Sequence, residues 1–102
     1  MKLIRNVYGT DANGDSKIFE NRIDHHPTTI YVSATDFDTA SVQAYISPAK
    51  KANTEDTNDV WFPLGTPFTT NGFFTFHERY GKLKFITTGA SANTAGLNGW
   101  ID

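Results

Sequence analysis

The chain contains no cysteine, so neither a disulfide nor a thiolate-held metal is available to stabilise it, and a small secreted disulfide scaffold is argued against. Methionine occurs once and leucine four times in 102 residues, whereas a helical bundle would draw on more Leu, Ala, Glu and Lys. Charge of one sign is also missing. Nine Lys and Arg against eleven Asp and Glu leave a formal net charge of −2, with the cations scattered along the chain. Without a basic stripe to displace counterions from phosphates, no nucleic-acid partner is expected. No window approaches the roughly 20 apolar residues that cross a bilayer as a helix, so no membrane partner is expected. At the start of the chain, Arg5 interrupts after only Leu3 and Ile4. That is not the pattern of a signal peptide, and a soluble product made in the cytosol is predicted.

What the chain does have is Thr, Ile and Val, together 25 residues, and 14 aromatics. Branched and aromatic side chains suit a pleated, half-buried surface. The stretch Ala40–Gly65 shows how they are used. Val42, Ala44 and Ile46 recur at every second residue, as do Val60, Phe62 and Leu64, and a polar segment lies between the two runs. Apolar side chains at every second residue fit a strand with one buried face. The polar segment has no such period and reads as the loop joining two antiparallel strands.

Other strands are predicted on the same grounds. Lys2–Tyr8 alternates and fits a first strand at an edge. Gly9–Ser16 concentrates turn formers, with Asn13-Gly14 favouring a tight reverse turn. Lys17–Ile23 is a weaker strand, broken at Asp24-His25-His26-Pro27 because proline lacks a ladder donor. Thr28–Thr35 is a strong strand with Ile30, Val32 and Ala34 on one face, and Asp36-Phe37-Asp38 turns the chain. Phe73–Glu78 is expected to pair across Tyr80-Gly81 with Lys82–Thr88, in which Leu83, Phe85 and Thr87 share a face. Gly89–Ala95 is a polar loop, and Leu97–Ile101 is a short last strand carrying Trp100. About seven or eight strands at 8–12-residue spacing predict a single antiparallel β-sandwich, jelly-roll or immunoglobulin-like, in one domain spanning residues 1–102. No substantial helix is expected beyond a single turn near Ala49–Asn53. The expected core is Ile30, Val32, Val42, Ala44, Ile46, Phe62, Leu64, Phe74, Phe76, Leu83 and Phe85.

Candidate chemistry is sparse. Asp11, Asn13 and Asp15 alternate like calcium ligands, but Gly14 is misplaced and Arg22 stands where the bidentate carboxylate belongs. Asp36 with Asp38, and Glu55 and Asp56 with Asp59, read as solvated loop carboxylates. His25 and His26, with His77 and Asp24, make a poor metal set because adjacent residues on an extended chain point apart. No serine sits in a strained elbow, and no pocket signal selects a carboxylate pair. No catalytic residue, metal or cofactor is therefore expected. The remaining candidates are residues for contact with other proteins: Tyr45, Trp61, Pro63, Tyr80 and Trp100. The aromatic ones are expected on faces or ends opposite the inward residues, where Trp and Tyr anchor interfaces.

The segment TASVQAYISPAKKANTEDTNDVWFPLG, followed by FTTNGFFTFHERYGKLKFITTGA and a closing GLNGWI, resembles small β-sandwich virion proteins of tailed bacteriophages. The likeness covers roughly Thr29–Ile101 and rests on strand endings, an Asn-Gly turn and a Gly/Ala/Ser loop. The resemblance implies a non-enzymatic decoration, head-fibre or tail-associated protein that binds other virion proteins and copies of itself. It also implies localisation in the virion after synthesis in the host cytoplasm. Two other readings stand beside it. One is a carbohydrate-binding module stacking sugars on Trp61, Tyr80 or Trp100. A weaker one is a metal-dependent hydrolase.

Overall fold

The computed structural model describes residues 4–7, 13–15, 19–20, 27–48 and 60–101. Every regular element among them is extended: β1 (Ile4–Val7), β2 (Gly14–Asp15), β3 (Phe19–Glu20), β4 (Thr28–Ser33), β5 (Ser41–Ser47), β6 (Phe62–Phe68), β7 (Gly72–Phe76), β8 (Lys82–Thr88) and β9 (Asn98–Ile101). They form two antiparallel sheets. In the first, the order is β1-β9-β4-β7; in the second it is β2-β8-β5-β6, with β3 also pairing β8. Six of these strands, β4 to β9, are divided three to a sheet. They carry nearly all the side chains that matter below.

Alternation in the sequence sets the faces. Ile30 and Val32 on β4 and Ile101 on β9 point inward from the first sheet. Val42, Ala44 and Ile46 on β5, Leu64 on β6, and Leu83 and Phe85 on β8 point inward from the second. All join one cluster of buried apolar residues, together with Phe37, Phe76, Tyr80 and Leu97. Fully burying such a side chain contributes about 1.5–3 kcal/mol relative to leaving it in water, and this shared core holds the two layers together.

The chain passes from sheet to sheet at almost every connection. Between β4 and β5, Thr35 and Asp36 both donate their backbone N–H groups to the Ala95 carbonyl, and Ala95 N–H donates back to Asp36. Asp38 there adopts a positive φ of 50°. Its amide donates to Asp36 Oδ1 at 2.9 Å, a side-chain bond that offsets the cost of the left-handed backbone. Gly89 is required for a different reason. Its φ is +71°, and a Cβ there would lie 2.5 Å from the Thr39 carbonyl oxygen.

Two expectations about pairing are corrected here. Phe73–Glu78 does not form a hairpin with Lys82–Thr88. β7 pairs β4 in the first sheet, and β8 pairs β5 in the second, because residues 77–81 carry the chain across the core between layers. Asn13-Gly14 is not a free reverse turn either. Gly14 faces Thr87 in the β2–β8 ladder, and Asn13 Oδ1 accepts from the Ala90 amide at 2.8 Å. The β5–β6 pair stands as expected, with Ala44 opposite Leu64 and Ile46 opposite Phe62. The turn proposed near Ala49–Asn53 lies outside the described residues.

Candidate interaction surface

From Val60 to Phe76 the chain contains no charged residue and no histidine. This stretch supplies β6 and β7, which stand at the ends of the two sheets. The two strands lie close together. A Cβ on Gly65 would sit 3.4 Å from the Phe74 ring, and one on Gly72 would sit 3.4 Å from the Phe68 ring. One side of the molecule is therefore formed by two uncharged edges, one from each layer.

Being last in a sheet changes the fate of inward-facing rings. Phe62 and Phe74 both point to the core side, opposite Ile46 and Ile30 respectively. Yet they are 51 % and 37 % exposed, since no described strand lies beyond them to close the gap. Their placement in the core is thereby corrected. On the outer side Phe73 is 68 % exposed, and Val60, just before β6, is 57 % exposed. Single exposed apolar residues are ordinary; four of them on or beside two neighbouring edge strands make this the candidate contact surface.

The two edges are finished differently. In β6, Pro63 and Pro67 remove two backbone donors. Between Leu64 and Phe68 the register shifts against β5, and Gly65 takes a φ of +68°. The Gln43 side-chain amide donates into this irregularity, to the Leu64 carbonyl at 3.0 Å. Prolines and bulges are the means by which natural sheets prevent edge-to-edge pairing. β7 has neither, and runs Gly-Phe-Phe-Thr-Phe in register with β4 from Gly72 to Phe76.

The five sequence-predicted contact residues fall in three places. Tyr45, Pro63 and Trp61 come together on the outer face of the second sheet. Tyr45 pairs with Pro63 and with Lys84, and Lys84 Nζ lies 4.5 Å from the centre of the Trp61 ring, a cation–π contact. Tyr45 and Trp61 are half-buried and Pro63 is exposed. The Trp61 indole N–H is buried without a hydrogen-bond partner. Trp100 is half-buried on the outer face of the first sheet. Tyr80 is in neither place. It belongs to the core, 5.5 Å ring to ring from Phe76, and its expected exposure is corrected. Burial pushes its hydroxyl above the usual tyrosine range, partly offset by a hydrogen bond from the Thr28 side chain.

The register also aligns side chains that the sequence did not suggest as a group. Tyr31 on β4 faces Trp100 on β9 and Phe73 on β7. Trp100, Tyr31 and Phe73 thus form an aromatic row across the outer face of the first sheet. The Tyr31 and Phe73 rings are 5.9 Å apart and tilted by 39°. Beside the row, the Thr29 and Thr75 hydroxyls bond each other at 2.8 Å. Strand pairing is what makes these neighbours, and no linear spacing encodes it.

Acidic groups are used locally. Asp36 caps the Asp38 amide, and Asp38 accepts a short bond from the Ser91 hydroxyl. Among the described residues, no group of three or more His, Asp or Glu side chains is placed to hold a metal. Asp11, Asp24, His25, His26, Glu55, Asp56 and Asp59 lie outside the described residues, so their candidacy is not addressed by this geometry. No family model matches the chain, and no curated protein or solved structure matches it either. Fold and surface together define its class as an all-β protein of two antiparallel sheets.

Proposed function

We propose that this chain is a non-enzymatic structural component of a tailed-phage virion, bound to the capsid or tail surface and stabilising the assembly through protein–protein contacts. The observation that carries this reading is the uncharged stretch Val60–Phe76, which forms two adjacent edges with no described strand beyond them and exposes Phe62, Phe73 and Phe74. A surface of that kind is costly to leave in water and gains from being covered.

Topology supports the same reading. β2 and β3 run along one edge of β8 in the same direction. β2 meets β8 at Thr87 and Ile86, and β3 meets it further along, at Leu83 and Lys82. With β2 and β3 counted as one position beside β8, the orders become 1-8-3-6 and 2-7-4-5. Those orders match a jelly roll, an architecture that recurs in viral capsid domains and in lectins, and so support the reading. Since fold alone does not assign function, the proposal for the first of these uses is supported by the uncharged edges.

The test is binding of the purified chain to phage particles lacking it, followed by mass spectrometry of the washed particles. Recovery in a fixed copy number per particle supports the proposal; failure to bind capsid or tail proteins removes it. A second reading, a carbohydrate-binding module, is favoured by the row Trp100–Tyr31–Phe73, because aromatic faces stack on sugar rings. Binding on a glycan array that is abolished by Trp100→Ala would promote that reading above the first.

A further inference from the structure

We propose that β7 is the strand through which two copies of this chain join, antiparallel, about a twofold axis passing through Phe74. The inference deepens the assembly reading by naming one contact, and it rests on that reading only in taking the exposed edge to be an interface. Among the described residues no strand pairs with the far edge of β7. An edge strand without proline, bulge or charge presents a row of backbone donors and acceptors to any extended chain.

The strand itself indicates a second copy as the occupant. An axis perpendicular to the sheet must keep outward residues opposite outward residues. Centred on Phe74, it sets Phe74 against its own image, Phe73 against Thr75, and Gly72 against Phe76. The first pair is an aromatic–aromatic cross-strand contact, among the favourable kinds, and it covers the ring left 37 % exposed. In the last pair, the residue without a side chain meets the large Phe76 ring. The stretch is uncharged from Val60 to Phe76, so its own image brings no like charge opposite it. A charged partner would instead lose hydration against an apolar strand. Joined in this way, the first sheets of two copies become one sheet, and each row Trp100–Tyr31–Phe73 meets the Thr75–Thr29 pair of the other copy.

Sedimentation velocity of the full chain over a range of concentrations tests the contact. A dimer is expected, and Phe73→Lys, which places a charge on an exposed edge position, should weaken it about tenfold or more. Phe62→Lys, an equally exposed change on β6, should leave the dimer unaffected. The absence of cysteine provides a check on register. Paired Cα atoms in an antiparallel ladder are about 4.5–5.5 Å apart, within the range a disulfide spans. A Phe74→Cys chain should therefore oxidise to a covalent dimer, and a Phe62→Cys chain should not. A chain that stays monomeric to about 1 mM overturns the proposal, as does a dimer weakened by Phe62→Lys and not by Phe73→Lys. A dimer that forms no Phe74→Cys cross-link overturns the register. Binding to virions by a chain that is monomeric alone would reject self-pairing and leave the assembly reading intact.

Discussion

β6 and β7 are consecutive in sequence, equally uncharged, and lie against each other at the open side of the molecule, yet their edges differ in kind. β6 carries Pro63, Pro67 and an irregular register filled by the Gln43 amide. β7 has an unbroken ladder to β4 and exposes Phe73 on one face and Phe74 on the other. A protein with no use for an open edge would blunt both. That only one is blunted among the described residues is the asymmetry on which the proposed pairing through β7 rests.

The largest effect separates the two faces of β7. Phe76 is 3 % exposed and packs on Tyr80, so Phe76→Ala should cost about 3–5 kcal/mol in urea unfolding. Phe73→Ala, measured at a concentration where the chain is monomeric, should change stability by less than about 0.5 kcal/mol. Comparable losses from the two would show that Phe73 is part of the fold and not of a contact surface.

Next in size is Gly65→Ala on β6. The residue would have to hold a φ of +68° and approach the Phe74 ring, and a left-handed backbone costs an alanine about 1–2 kcal/mol. An unchanged midpoint would mean that the β6 irregularity is not fixed by this glycine.

Tyr80 gives a pH-dependent effect confined to the β7 side, where it ties Phe76 to Thr28. Its folded pKa is raised, so the neutral hydroxyl is favoured in the native state. That contribution is complete below the unfolded value of about 10 and is lost as pH rises above it. Alkaline unfolding should therefore steepen above pH 10 in the wild type and less so in Tyr80→Phe. Identical pH profiles would contradict the assignment.

The smallest change in stability, within about 0.5 kcal/mol, is expected for Pro63→Thr at the exposed β6 edge. Its informative readout is association. Restoring a backbone donor there should let β6 pair as well, producing species larger than a dimer in sedimentation. No change in size distribution would show that Pro63 is not what guards β6.

Much of this architecture was legible in the sequence. Ile30 with Val32, Val42 with Ala44 and Ile46, and Leu83 with Phe85 announce strands by their spacing, and all are buried. Phe62 and Phe74 obey the same spacing and are exposed, because whether a strand is last in its sheet is settled by distant pairing. Tyr80 was misjudged for a related reason. Lys82 and Lys84 alternate with core residues as solvent-facing ones do, yet they are 0 % and 5 % exposed, and the Lys84 ammonium lies over the Trp61 ring, a neighbour that local pattern does not give. The short connection at 77–81 suggested a hairpin, and only the competition of β4 and β5 for partners sends it across the core. The uncharged run from Val60 to Phe76 was readable from the start, and is the one sequence signal that marks the surface.

Hydrogen–deuterium exchange at rising protein concentration tests the difference between the two edges most directly. Amides of Gly72–Phe76 should gain protection as the chain becomes more concentrated, while those of Phe62, Leu64 and Gly65 stay constant. Protection that grows on β6 instead, or on neither strand, would contradict the account.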